Sequence, residues 1–189
     1  MRIIFMGTPM FAIPTLERLV ESHHDVGLVV TQPDRKAGRG QKVQMPPVKE
    51  LAQAHGIPVL QPESVRDEAV QSQLAAVRPD AIVVVAYGKI LPPALLHLPR
   101  LGCINLHASL LPKYRGAAPI NWAIIRGETR TGVTIMKMDE GMDTGDILAR
   151  CAEDILDDDD AGSLSDNLSV VGADLLMRVL EGAEKTGLL

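Results

Sequence analysis

Two side chains able to handle charge on a carbonyl oxygen, Asn105 and His107, lie two positions apart in the stretch NLHASLLP (105–112). They follow an apolar run, LGCI (101–104). In a strand, residues i and i+2 point the same way, so the two would project together from one strand end. An asparagine amide donates to a developing oxyanion. A histidine donates to it as imidazolium, or exchanges a proton near neutral pH. The same pair also reads as polar caps on a buried strand, needing only hydrogen-bond partners. Cys103 shares their spacing and face and reads as structural.

A second polar group is DEGMDTGDI (139–147). It carries Asp139, Asp143 and Asp146 among the turn-formers Gly141, Thr144 and Gly145. Asx-turns or helix caps would account for all three acids. A chemical role requires one of them to face His107, where it would orient the ring and favour its charged form. Spacing does not select which. Other signals are weaker. GTP (7–9) has neither the lysine of a Walker motif nor the glycines of a dinucleotide fingerprint. His23, His24, His55 and His97 form no ligand cluster with Cys103 and Cys151 at a recognised spacing, so no metal is expected.

The elements that must position these residues alternate along the chain. Strands are expected at 2–6, 26–31, 57–60, 80–86, 101–107 and 131–138, and a further strand at 147–152. Helices are expected at 11–22, 47–56, 64–77 (with Ser64 as N-cap), 92–99, 119–127 and 163–182. The strands are apolar runs, not alternating ones, which implies a mostly parallel sheet covered by helices. Ligands collect beyond the carboxyl ends of such strands, here at 7–10, 86–91 and 105–112. The stretch 153–162 is the best linker candidate and reads equally as a solvated loop.

The 189 residues suffice for one domain with a sizeable core. With two Phe, two Tyr and one Trp, that core must be aliphatic. The net charge of -5 owes six acids to EDILDDDD (153–160), so the remainder is near neutral. An acidic average argues against wholesale nucleic-acid binding and against DNA as a partner. Locally, DRKAGRGQK (34–42) carries four basic residues and one acid. Two cysteines make no disulfide framework, no apolar run reaches 18 residues, and the first residues read as a strand. A cytoplasmic monomer off the membrane is expected.

NLHASLLPKYRGAAPINWAI followed by GVTIMKMDEGMDTGDIL resembles the folate-dependent formyltransferases. GTPMFAIPTLERL, TQPDRKAGRGQK and VVVAYGKILP resemble the tRNA-specific branch, and the likeness spans the chain. The resemblance implies a Rossmann-like α/β fold, with a mostly parallel central sheet and helices on both faces. It implies Asn105, His107 and Asp143 as the catalytic trio. It implies formyl transfer from 10-formyltetrahydrofolate to the α-amine of methionyl initiator tRNA, without a metal. Ser109, Leu110, Leu111 and Pro112, with Ala86, Tyr87, Gly88, Ile90 and Leu91, would form the folate pocket. Arg115 could meet an acid in 139–146. Arg35, Lys36, Arg39 and Lys42, in a loop at 32–45, would approach the tRNA. A relative acting on glycinamide ribonucleotide or an amino-sugar nucleotide, or a folate-binding fragment with little transferase activity, is the alternative. The branch continues into a C-terminal β-barrel that binds tRNA, whereas this chain stops at GAEKTGLL; 1–189 is expected to be the catalytic domain.

Overall fold

The computed structural model describes residues 1–37 and 42–189. Strands β1 (Arg2–Gly7), β2 (Asp25–Val30), β5 (Val59–Leu60), β6 (Ala81–Val85), β7 (Cys103–His107), β8 (Arg130–Lys137) and β9 (Ile147–Asp154) form one sheet in the order β5-β2-β1-β6-β7-β8-β9. The first five strands in that order are parallel, and β8 and β9 add antiparallel pairings at one edge. Two short strands, β3 (Arg35–Ala37) and β4 (Lys42–Gln44), pair separately as a ribbon. The stretch expected to be a loop at 32–45 therefore contains a hairpin stem.

Period-two alternation splits the sheet's side chains between two cores. One face carries Ile3, Phe5, Val83, Ile104 and Leu106. It is covered by α1 (Ile13–Glu21), α2 (Pro47–Ala54) and α6 (Ala161–Thr186), with α5 (Pro119–Ile125) packed alongside. The other carries Ile4, Met6, Ile82, Val84 and Cys103, beneath α3 (Glu68–Ala76) and α4 (Pro93–Leu96). Burial on both faces explains why the strands read as continuous apolar runs. Each fully buried aliphatic side chain contributes roughly 1.5–3 kcal/mol of transfer free energy. Asn105 and His107 alternate with Ile104 and Leu106, so they share the face of Cys103.

Two boundaries differ from the sequence expectation. Helix α3 starts at Glu68, because the Ser64 hydroxyl accepts from Arg66 N at 3.1 Å and makes a local turn instead of a cap. Helix α6 starts at Ala161, because Asp160, the last acid of the run, accepts from the Gly162 and Ser163 amides while Ser163 reaches back. The segment 153–162 is therefore a strand end, a short turn and a cap, with no linker.

Helix α6 lies directly on the strand that carries the polar pair. A Cβ on Gly172 would come within 2.7 Å of Leu106 Cδ1 and 3.1 Å of its Cγ. Leu106 is the residue between Asn105 and His107 and is buried. Gly172→Ala would gain about 1 kcal/mol of helix propensity. Overpacking a buried contact costs about 1–3 kcal/mol and should win. Chemical unfolding of this variant should show lower stability than the parent; a gain would mean that Leu106 can swing aside.

Candidate active site

A cavity of about 870 Å³ opens where β1, β6 and β7 end. Val84, Asn105 and Met136 line it from three adjacent strands of the sheet. The 86–91 segment and Met10 and Phe11 supply further wall.

His107 is buried at the end of β7. Its Nε2 lies 2.7 Å from the Tyr114 carbonyl oxygen. That oxygen can only accept, so Nε2 carries a proton and donates it. The other ring nitrogen, Nδ1, is then the one left for a reacting group. It lies 3.7 Å from Asp143 Oδ2. The same oxygen accepts the Gly116 amide at 2.7 Å, which holds the carboxylate in place. Asn105, half-buried, makes no side-chain hydrogen bond among the described residues, so its amide is available to the cavity.

Asp143 arrives by a route that spacing does not reveal. The segment after β8 leaves beside Cys103, where Met138 N donates to the Cys103 carbonyl at 2.8 Å. His107 is four residues away along β7, roughly 13 Å at strand rise. The 138–146 loop therefore runs back along β7. It is pressed against β8 at Gly145, where a Cβ would sit 1.8 Å from the Lys137 carbonyl oxygen. Asp143 itself has φ 53°, as Ala86 has 49° and Ala118 has 54°. All three line the cavity, and left-handed backbone at non-glycine residues concentrates at functional sites. Asp139 accepts from Gly141 N and Thr144 Oγ1 and is a turn-former. Asp146 lends its carbonyl to Lys137 N.

The residues expected to form the folate pocket separate into two groups. Ala86, Tyr87, Gly88, Ile90 and Leu91 line the cavity. Ser109, Leu110, Leu111 and Pro112 do not. The chain turns away there because Thr134 Oγ1 donates to the Ser109 carbonyl at 2.6 Å and accepts from Leu111 N at 3.1 Å. Leu111 is core, Pro112 is exposed, and Leu110 packs towards Gly132. SLLP therefore supports the site from behind. Arg115 also departs from expectation: it is exposed and makes no ion pair among the described residues, and its neighbour Gly116 meets the acid instead. Thr134, Tyr114 and Met136 have no local signal in the sequence, because their roles depend on what pairs with β7.

Cys103 is fully buried, donates to the Leu95 carbonyl, and burial pushes its thiol up to about 12. It is not a nucleophile at neutral pH. Burial likewise pushes the Tyr87 phenol up to about 12. His23, His24 and Glu184 lie within 4.8 Å of one another at the start of β2, the opposite end of the sheet from the cavity. There Glu184 accepts from His23 Nε2 at 2.7 Å.

Of the four basic residues, Arg35 (exposed), Lys36 and Lys42 fall on the β3–β4 ribbon. Arg39 lies outside the described residues. The ribbon's base is tied to the cavity rim. Asp34 accepts from Lys49 Nζ at 2.6 Å and from Gln61 Nε2 at 2.7 Å. Gln61 also holds the Gln32 carbonyl, and Gln32 Nε2 donates to the Tyr87 carbonyl at 3.0 Å.

Fold and cavity together define a Rossmann-like α/β domain whose polar centre suits carbonyl chemistry. More narrowly, the chain belongs to the formyl transferase family, whose model matches residues 1–180. It is 60% identical over 179 residues to the methionyl-tRNA formyltransferase of Geobacter metallireducens, covering 95% of this chain and 58% of that protein. It is 59% identical over 183 residues to that of Caldanaerobacter subterraneus subsp. tengcongensis, covering 96% and 59%. The chain thus spans about 58% of the length of such curated relatives. Among solved structures, it resembles the phosphoribosylglycinamide formyltransferase of Bacillus halodurans with a TM-score of 0.80 at 27% identity, covering 95% of this chain and 93% of that one. No helix among the described residues is long and apolar enough to cross a membrane.

The hydrogen bonds from Lys49 and Gln61 hold the Asp34 carboxyl below its usual range. A depressed carboxylate stabilises the fold above its unfolded pKa, about 3.9, and that contribution fades as pH falls through the folded value. Asp34→Asn should therefore lower stability at neutral pH and narrow its gap to the parent below about pH 4. Denaturant unfolding across pH 3–7 checks this; a constant gap would show that the charge is not the cause.

Proposed function

We propose that residues 1–189 form the catalytic domain of an enzyme that moves the formyl group of 10-formyltetrahydrofolate to the α-amine of methionyl initiator tRNA. The observation that carries this reading is the convergence of Asn105, His107 and Asp143, with Nδ1 of His107 left towards Asp143. Relatives at about 60% identity named for that reaction, against 27% for a fold neighbour named for a ribonucleotide acceptor, favour the tRNA branch. The cavity fits the donor in kind: its volume is that of a small-molecule site, and Val84, Ile90, Leu91 and Met136 offer apolar wall to a flat heterocycle.

The bound folate supplies a formyl carbon attached to N10. As the amine adds to that carbon, negative charge gathers on the formyl oxygen. The Asn105 amide N–H and Nδ1–H of protonated His107 are the donors for it. Asp143, 3.7 Å from Nδ1, keeps that N–H aligned. Its second oxygen accepts the proton shed by the amine, directly or through water. Collapse breaks the bond from carbon to N10, and His107 Nδ1 gives its proton to that leaving nitrogen. The amine is a competent nucleophile once deprotonated, so the steps require neither a covalent enzyme intermediate nor a metal.

Arg35, Lys36, Arg39 and Lys42 bring phosphate-seeking charge to the 32–45 stretch. The link through Asp34, Gln61 and Gln32 joins the base of the ribbon to the cavity rim.

The decisive assay offers the chain 10-formyltetrahydrofolate with methionyl initiator tRNA, with glycinamide ribonucleotide, or with no acceptor. Formylmethionyl-tRNA should form fastest. Release of formate alone would overturn the transferase reading. His107→Ala should lower turnover by a factor of roughly 10²–10⁴ while folate binding persists. Arg35→Ala combined with Lys42→Ala should raise KM for tRNA, most at low salt and by a smaller factor as salt rises, and leave KM for the folate unchanged.

A further inference from the structure

We infer that Glu128 is a positioning residue for His107, acting through Tyr114. Glu128 sits in the turn between α5 and β8, outside the cavity lining. Its Oε1 accepts the Tyr114 phenol at 2.5 Å and Lys113 Nζ at 2.6 Å. One carboxylate oxygen thus grips both side chains that flank the 113–114 peptide. Tyr114 then presents its backbone carbonyl to His107 Nε2 at 2.7 Å and to Ser109 Oγ at 3.2 Å.

This grip matters because the Tyr114 phenol has no other hydrogen-bond partner among the described residues. Pro112, Lys113, Arg115 and Ala117 are exposed. The segment is tied before Tyr114 by Thr134 at Ser109 and Leu111, and after it by Gly116 at Asp143. Between these ties, Glu128 is the partner of the Tyr114 side chain itself. Glu128 is well placed to serve as an anchor. Its own amide donates to the Ala123 carbonyl at 3.0 Å, so its backbone is fixed to the end of α5.

Charge keeps the donors and acceptor in their roles. Hydrogen bonds from Lys113 and then Tyr114 hold the Glu128 carboxyl below its usual range. The neighbouring Glu128 carboxylate raises the Tyr114 phenol, so the phenol remains a donor. The bond is therefore charge-assisted. As a contribution to stability this exposed ion pair is worth little. Its effect lies in where it leaves a carbonyl that accepts from His107. If that carbonyl drifts, Nε2–H is no longer enforced and Nδ1 is no longer directed at Asp143. Misplacement by about 1 Å can cost up to a hundredfold in rate.

The inference rests on the proposed transferase reading for its kinetic arm and on geometry for its spectroscopic arm. In the chain as it stands, Glu128→Ala and Tyr114→Phe should each lower kcat by about tenfold, with KM for the formyl donor within about twofold. Melting temperature should change little. Glu128→Gln, which keeps an oxygen for the phenol, should recover most of the rate. At a pH where the ring is neutral, imidazole ¹⁵N shifts should show His107 as the Nε2–H tautomer in the parent and a mixture of the two tautomers in Glu128→Ala. Parent-like kcat or parent-like ¹⁵N shifts in Glu128→Ala would overturn the positioning role. A parent chain that transfers no formyl would defeat the transferase reading, while the ¹⁵N comparison would still decide this one.

Discussion

The Tyr114 carbonyl accepts a hydrogen bond from His107, and it has no proton to give. Much of the site follows from that asymmetry. It commits Nε2 as a donor and leaves Nδ1 as the nitrogen that faces Asp143. It makes a carboxylate near Nδ1 favourable, since both ring nitrogens then face acceptors and the imidazolium is fully matched. The surrounding contacts keep this geometry in place. Thr134 secures the turn before Tyr114, the Gly116 amide secures Asp143, and Leu106 wedges the strand against α6.

The antiparallel edge of the sheet is what makes the trio possible. A further parallel strand would require a crossover and would start again at the far end of the sheet. Instead, β8 runs back down β7, with Thr134 opposite His107 and Lys137 opposite Ile104. The loop beyond it then has to return along β7 to deliver Asp143. That return brings backbone against backbone at Gly145, and left-handed backbone at Asp143. The acid-rich hairpin is thus built for reach, with Asp139 spent on the turn and Asp143 left for the histidine.

Several features were legible from residue patterns because their physics is local or periodic. Continuous apolar runs at β1, β6 and β7 follow from burial on both faces. Period two placed Asn105 and His107 together without reference to any neighbour. Gly56, two residues after the end of α2 and with φ 68°, is a local stop signal of the same kind. Where two local chemistries competed, the reading faltered. Ser64 could cap or turn and it turned, and the run DDDD looked like solvated charge although Asp160 caps α6.

The sequence by itself determined the alternation of elements, the shared face of the polar pair, and a family likeness strong enough to nominate Asp143. Only the tertiary structure decided which histidine nitrogen faces Tyr114 and which faces Asp143, and that SLLP lies behind the cavity. It also decided that Gly116, and not Arg115, meets the acid, and that Glu128 reaches Tyr114. The physical reason is the same each time. These relations join residues brought together by strand register and loop return, and hydrogen-bond direction at such contacts depends on partners that no local pattern encodes.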